Sequence, residues 1–310
     1  MEQLKCKNCR AKIDPDEIAF GVVRCKYCGY TFTWLKKSFE QSVMIDLQIG
    51  EDELAACDFN RAYAAYKRAS DADKSEPEAY FGMALAENKV QYLKDTVKDR
   101  LQPICHEVGG RKFSDNPNYK KALSLATPEQ KIIYESRAHE IDYIQAEFAS
   151  LAQSGLKYDC FICVKVTKDD GKHTEDSFAA GQLYQKLKED GYHPFYSEEE
   201  IGNRRGADYE AMILYALYTS PCMLLVCFDE EYLKTKWVKN EYTRFVALRA
   251  DDKEKKDEPK IALVYKREEP RRLSGALSKV QPVNYDGAYA YSQICDFVSS
   301  FAGRTEEVKK

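Results

Sequence analysis

Ser220-Pro-Cys-Met-Leu-Leu-Val-Cys227 decides how the second half of this sequence folds. Its apolar run reads as a buried strand over residues 222–228, set between helical stretches at Ala207–Thr219 and 230–249. Short apolar runs of the same kind recur on both sides, at 158–166, 193–196, 261–265 and 281–285. Amphipathic stretches at 174–190 and 289–301 complete the series, and Gly191 supplies a suitable residue just past the first of these helices. Strands that alternate with helices in this way imply a parallel sheet covered on both faces. The third segment, residues 156–310, is therefore expected to be an α/β domain.

Upstream the texture differs. Residues 35–155 are rich in Ala, Leu, Glu, Lys and Tyr at helical spacing. Ala62, Tyr66 and Ala69 share one face, and after Pro77 the set Tyr80, Met83, Ala84 and Ala86 follows in the same manner. Small residues paired with aromatics at this spacing resemble a tetratricopeptide (TPR) helix pair and the start of another, without a further repeat. Gly109-Gly110 separates helices, and Thr127-Pro-Glu-Gln130 carries the pattern of a capping box at the head of a long helix. No chemistry is visible here. A scaffold that holds the chain together or receives a protein partner is the expectation.

Residues 1–34 contain Cys6-Lys-Asn-Cys9 and Cys25-Lys-Tyr-Cys28. Two CxxC turns can complete a tetrahedral S₄ site, which suits structural Zn²⁺. Gly29 stands where such a knuckle needs positive φ. The segment has little apolar mass, so metal binding is expected to supply its folding free energy. It holds eight Lys/Arg and five Asp/Glu through residue 40 and is only mildly basic. Tyr27, Tyr30, Phe32 and Trp34 suit a small core as well as they suit base stacking. The remaining seven of the 11 cysteines lie mostly in apolar stretches and read as small buried hydrophobes. Cys160 and Cys163 spell another CxxC, but i and i+3 on a strand point to opposite faces, which excludes a metal site there.

Composition narrows the function classes. With 47 Lys+Arg against 51 Asp+Glu the net charge is −4, which gives no general pull toward nucleic acid or anionic membrane. No apolar run reaches the roughly 18–20 residues that span a bilayer, and no signal-peptide core opens the chain, so a cytoplasmic location is expected. The sequence has no GxGxxG after a strand, no GxxxxGK[ST] and no GxSxG. The four histidines form no metal-type cluster.

One constellation remains, Trp237-Val-Lys-Asn-Glu241, which puts a bulky ring and a carboxylate one helical turn apart. Here the third segment resembles TIR (Toll/interleukin-1 receptor) domains. Tyr158-Asp-Cys-Phe-Ile-Cys-Val-Lys165 is similar to their opening strand, Gly191-Tyr-His-Pro-Phe-Tyr196 to their second strand, residues 197–206 to their BB loop and Ser220–Cys227 to their third strand. Trp237 and Glu241 match the WxxxE motif of the TIR domains that cleave NAD⁺. With the ribbon and the helical region, the whole chain is similar to a group of bacterial zinc-ribbon–TIR proteins. The resemblance implies a flavodoxin-like five-stranded parallel sheet in the order 2-1-3-4-5, whose ligand site lies beyond the carboxyl ends of strands one and three. It implies NAD⁺ as substrate, cleavage at the nicotinamide–ribose bond, activation by self-association of TIR domains, and a place in bacterial immunity or signalling. Glu241 is then the catalytic residue, a stabiliser of the oxocarbenium-like transition state. Trp237, Lys165, Val166, Ser197 and Arg204 are the expected substrate contacts, with Arg205 beside the last. Ser197 stands where many relatives have an acid, and Cys163 where many have Ser. The alternatives are a TIR adaptor that acts through protein–protein contact alone and a zinc-ribbon nucleic-acid binder.

Overall fold

The structure, a computed structural model, describes residues 5–13, 18–19, 22–33, 41–95, 100–168, 170–201, 207–249, 260–268, 273 and 275–302. The chain divides into two compact units, 1–149 with 205–211 and 150–204 with 212–310.

The first unit opens with three short antiparallel strands, β1 (Ile18–Ala19), β2 (Val22–Arg24) and β3 (Thr31–Thr33), in that order. Val23, Phe32, Ile13, Cys6 and Cys25 form its small core. Helices α1 (Gln41–Ala55), α2 (Phe59–Ala72) and α3 (Pro77–Glu87) follow. Ala62, Tyr66 and Ala69 are buried on one face of α2, as their spacing requires. The Tyr66 ring is wedged between two glycines. An added Cβ on Gly50 of α1 would lie 2.7 Å from the ring, and one on Gly82 of α3 closer still. Large-against-small packing is what lets three helices approach one another here.

The helical expectation fails over residues 90–105. There the chain forms an antiparallel hairpin, β4 (Val90–Asp95) and β5 (Arg100–Cys105), with Tyr92 opposite Pro103. A proline is compatible with a ladder that has only two strands and therefore an unpaired edge on each. A short helix α4 (Pro117–Leu125) and the long helix α5 (Pro128–Ser154) complete the unit. The capping box at the head of α5 is formed in both directions. The Thr127 amide donates to Gln130 Oε1 at 2.9 Å, and the Gln130 amide donates to Thr127 Oγ1 at 3.3 Å. Tyr134, Ala138, Ile141, Ile144 and Phe148 line the buried stripe of α5.

The second unit is α/β. Its strands β6 (Cys160–Val164), β7 (Pro194–Phe195), β8 (Met223–Val226), β9 (Ile261–Tyr265) and β10 (Gln281–Asn284) make one sheet in the order β10-β9-β8-β6-β7. Every pairing is parallel. In order of appearance this is 2-1-3-4-5. The helices are α6 (Glu175–Glu189), α7 (Ser197–Glu200), α8 (Ala207–Thr219), α9 (Lys236–Ala247) and α10 (Ala290–Ala302). All five residues of β6 and all four of β8 are buried, because both faces of the sheet are covered. Cys160, Ile162 and Val164 pack with Ala180, Leu183 and Leu187 of α6 and with Ile294 and Val298 of α10. The alternate residue Cys163 faces α9, where its thiol lies 3.9 Å from the Val238 carbonyl oxygen. Cys160 and Cys163 thus point to opposite sides of the sheet, as strand geometry requires.

Gly82→Ala forces the Tyr66 ring out of its slot. It is expected to destabilise the first unit by about 1–3 kcal/mol, measured as a lowered denaturant midpoint with an unchanged m-value.

Candidate functional site

The chain passes from β6 to β7 on one side and then crosses to β8 on the other. In open α/β sheets ligands bind at such a reversal, beyond the carboxyl ends of the flanking strands. Backbone contacts fix the chain there. Thr174, N-cap of α6, donates its amide to the Val166 carbonyl at 2.9 Å and its hydroxyl to the Lys165 carbonyl, and its hydroxyl accepts from the Ser177 amide at 3.0 Å. The buried carboxylate of Asp176 accepts the Phe228 amide at 2.7 Å, which ties the start of α6 to the chain leaving β8. Burial raises the Asp176 pKa although this hydrogen bond opposes the shift.

Beyond Phe228, a 3₁₀ turn at Glu230–Lys234 leads into α9. The Asp229 side chain caps that turn by accepting the Glu231 amide at 3.0 Å. α9 packs on β6 and β8 and buries Val238, Asn240, Glu241, Tyr242, Arg244 and Phe245. A carboxylate and a guanidinium therefore lie on its inner face. Glu241 is only 8% exposed and Arg244 fully buried, which excludes a solvated pair on the outside of the helix. Trp237, one turn before Glu241, is half-buried. The Cys163 thiol of β6 faces this helix and donates to the Val238 carbonyl at 3.9 Å, near enough to Glu241 to feel its charge. Burial pushes that thiol well above its usual range, and the Glu241 charge pushes it further the same way. Cys163 is thereby held as a neutral thiol, not as a nucleophile.

Of the residues expected at this site, Glu241 meets the sheet at the penultimate residue of β6. Lys165 and Val166 are the first two residues past that strand, both half-buried. Ser197 begins α7 directly after Tyr196, beside the edge strand β7, and is half-buried. Arg204 and Arg205 lie outside the described residues, as do residues 202–206 of the loop. Two further residues lie here without a sequence signal of their own. Cys163 stands out in the sequence only as a departure from Ser. Asp176 has no signal that separates it from its exposed neighbour Glu175. Helix phase alone decides which of the two turns inward.

Residues 172–295 match the family model of the TIR domain. The second unit carries a TIR domain. The match begins after β6, yet β6 is central to the TIR sheet and pairs with both β7 and β8. No curated protein and no solved structure matches the chain.

In the first unit the cysteines converge. The four sulfurs of Cys6, Cys9, Cys25 and Cys28 all lie within 4.8 Å of one another, with Cys6–Cys28 at 3.7 Å and Cys9–Cys25 at 3.6 Å. Zn–S bonds of about 2.3 Å in a tetrahedron put sulfurs about 3.8 Å apart, so the cluster has the dimensions of a closed S₄ site. The two knuckles are alike in their backbone. The Arg10 amide donates to the Cys6 carbonyl and the Gly29 amide to the Cys25 carbonyl, and both donors have positive φ, 62° and 69°. Burial pushes the Cys6 thiol up to about 12 in the metal-free protein, so a cation is what would hold it as thiolate. Among the described residues no other His/Cys/Asp/Glu group has metal-binding spacing, and no helix is long and apolar enough to cross a membrane.

Two measurements follow from this geometry. The purified chain should hold one zinc ion, and Cys25→Ser should reduce the bound metal to near zero by elemental analysis. N-ethylmaleimide at pH 8 should leave Cys163 unmodified in the folded protein and modify it only after denaturation, as read by peptide mass spectrometry.

Proposed function

We propose that the TIR domain cleaves NAD⁺ at the nicotinamide–ribose bond, with Glu241 as the catalytic residue. The observation that carries this reading is the placement of Glu241. It is a buried carboxylate on α9, which packs on β6 and β8 beside the chain reversal where α/β sheets bind ligands. Nicotinamide in NAD⁺ is a cationic leaving group. When the C1′–N1 bond breaks, its electron pair goes to the ring nitrogen and nicotinamide departs neutral, so no general acid is needed. Positive charge develops on the ribose. A desolvated carboxylate aimed there stabilises that charge far more than one in water, as in glycoside hydrolysis. Water adding to C1′ and losing a proton gives ADP-ribose. Attack by a group of the same ADP-ribose gives a cyclic product.

In this reading Trp237 walls the crevice and excludes water. Lys165 and Val166 at the end of β6, and Ser197 at the start of α7, border the dinucleotide, and Arg204 meets its phosphates. Self-association of TIR domains completes or orders the site. The four-cysteine cluster holds structural Zn²⁺, and the helical region scaffolds the chain or receives a protein partner.

The test is chromatographic analysis of NAD⁺ incubated with concentrated protein. Wild type is expected to release nicotinamide, and Glu241→Gln to lose at least about 100-fold in kcat while keeping the wild-type unfolding midpoint to within a few degrees. Equal turnover by Glu241→Gln overturns the assignment.

A further inference from the structure

The ribbon does not hang free of the helices in the first unit. Lys7 sits inside the first knuckle, between ligand candidates Cys6 and Cys9, and its side chain is only 14% exposed. Its ammonium forms ion pairs with Glu51 of α1 and, at 3.2 Å, with Glu78 of α3. Glu78 is also reached from β3, where the buried Thr33 hydroxyl donates to it, and from α5, where the Tyr134 hydroxyl donates at 2.8 Å. Arg137 of α5 donates to the Tyr30 hydroxyl of the ribbon at 3.2 Å and lies 5.4 Å from the Tyr92 ring centre and 5.9 Å from that of Phe81. Burial would raise the Glu78 pKa, but the charges of Lys7 and Arg137 outweigh it and lower the value. The carboxylate of Glu78 is thus ionised inside the protein, and one of its two counter-charges is borne on a metal knuckle.

We propose that metal loading of the ribbon and the stability of the helical unit form one cooperative transition, coupled through Lys7. The four cysteines fix the knuckle, the knuckle fixes Lys7, and Lys7 neutralises the Glu51–Glu78 pair between α1 and α3. Loss of the metal releases Lys7 and leaves the half-buried carboxylates of Glu51 and Glu78 with less counter-charge. Removing one partner of an ion pair held away from water costs more than removing both. The docked face of the ribbon uses Lys7, Tyr30 and Thr33, and Phe32 is buried beneath it, so these residues serve the intramolecular contact and not a nucleic acid.

The experiment compares full-length protein with and without a zinc chelator, and Lys7→Met and Lys7→Arg with all four cysteines intact. Bound zinc, thermal unfolding and backbone hydrogen exchange of α3 are the readouts. Chelation is expected to strip α3 of its slow exchange. Lys7→Met is expected to keep its zinc yet lower the unfolding midpoint of the first unit by about 10 °C and open α3 in the same way. Lys7→Arg should recover most of that protection, because a guanidinium restores the charge. If α3 stays protected after chelation, or if Lys7→Met exchanges like wild type, the coupling is overturned. A chain that binds no zinc overturns it too.

Discussion

A carboxylate taken out of water must be met by donors or charge, or it takes up a proton. Glu241 is under this constraint, and the arrangement around it follows from how the TIR domain satisfies it. A helix can carry an inward acid only where the sheet beneath offers a polar atom, and the interior of a doubly covered parallel sheet offers almost none. Cys163 is such an atom, at the penultimate position of β6. One residue earlier Ile162 faces α6 and α10 on the other side of the sheet, where an acid on α9 finds nothing. The strand period therefore sets where Glu241 can sit, and that place lies at the carboxyl edge where the chain reverses.

The same constraint organises the first unit with a different answer. Glu78 is met by a lysine, an arginine, a tyrosine and a threonine that come from both the ribbon and the helices. Charge is matched by full counter-charge, and the elements that supply it are thereby held together. Tyr66 does the analogous work in apolar terms, filling the slot that two glycines leave between α1 and α3.

How legible this was in the sequence depended on the range of each interaction. The parallel sheet was readable because each strand is a short apolar run and each crossover a helix, whereas its order came from the resemblance to TIR domains. The capping box at Thr127 and Gln130 spans four residues, and the structure forms it in both directions. The hairpin over 90–105 was missed because Gln102-Pro103 argues against a strand and the flanking composition is helical. The Lys7–Glu78 pair joins residues 71 apart, and no local pattern announces it. Ile132 of α5 is 69% exposed, because the buried stripe of that helix runs through Tyr134, Ala138 and Ile141.

The carboxylates of Glu78 and Glu241 are met differently. Around Glu78 the protein places strong, permanently charged donors, which lower the energy of the carboxylate and leave little of its field for anything else. At Glu241 the carboxylate lies on the inner face of α9, near the neutral thiol of Cys163 and three residues before the buried Arg244. In the proposed reading its charge acts on the cation that develops on the ribose. Fixed charge in a dry site costs no reorganisation when positive charge develops beside it, which is the condition electrostatic catalysis requires. Cys163 is held in its neutral form by burial and by the Glu241 charge, so it does not compete as a nucleophile.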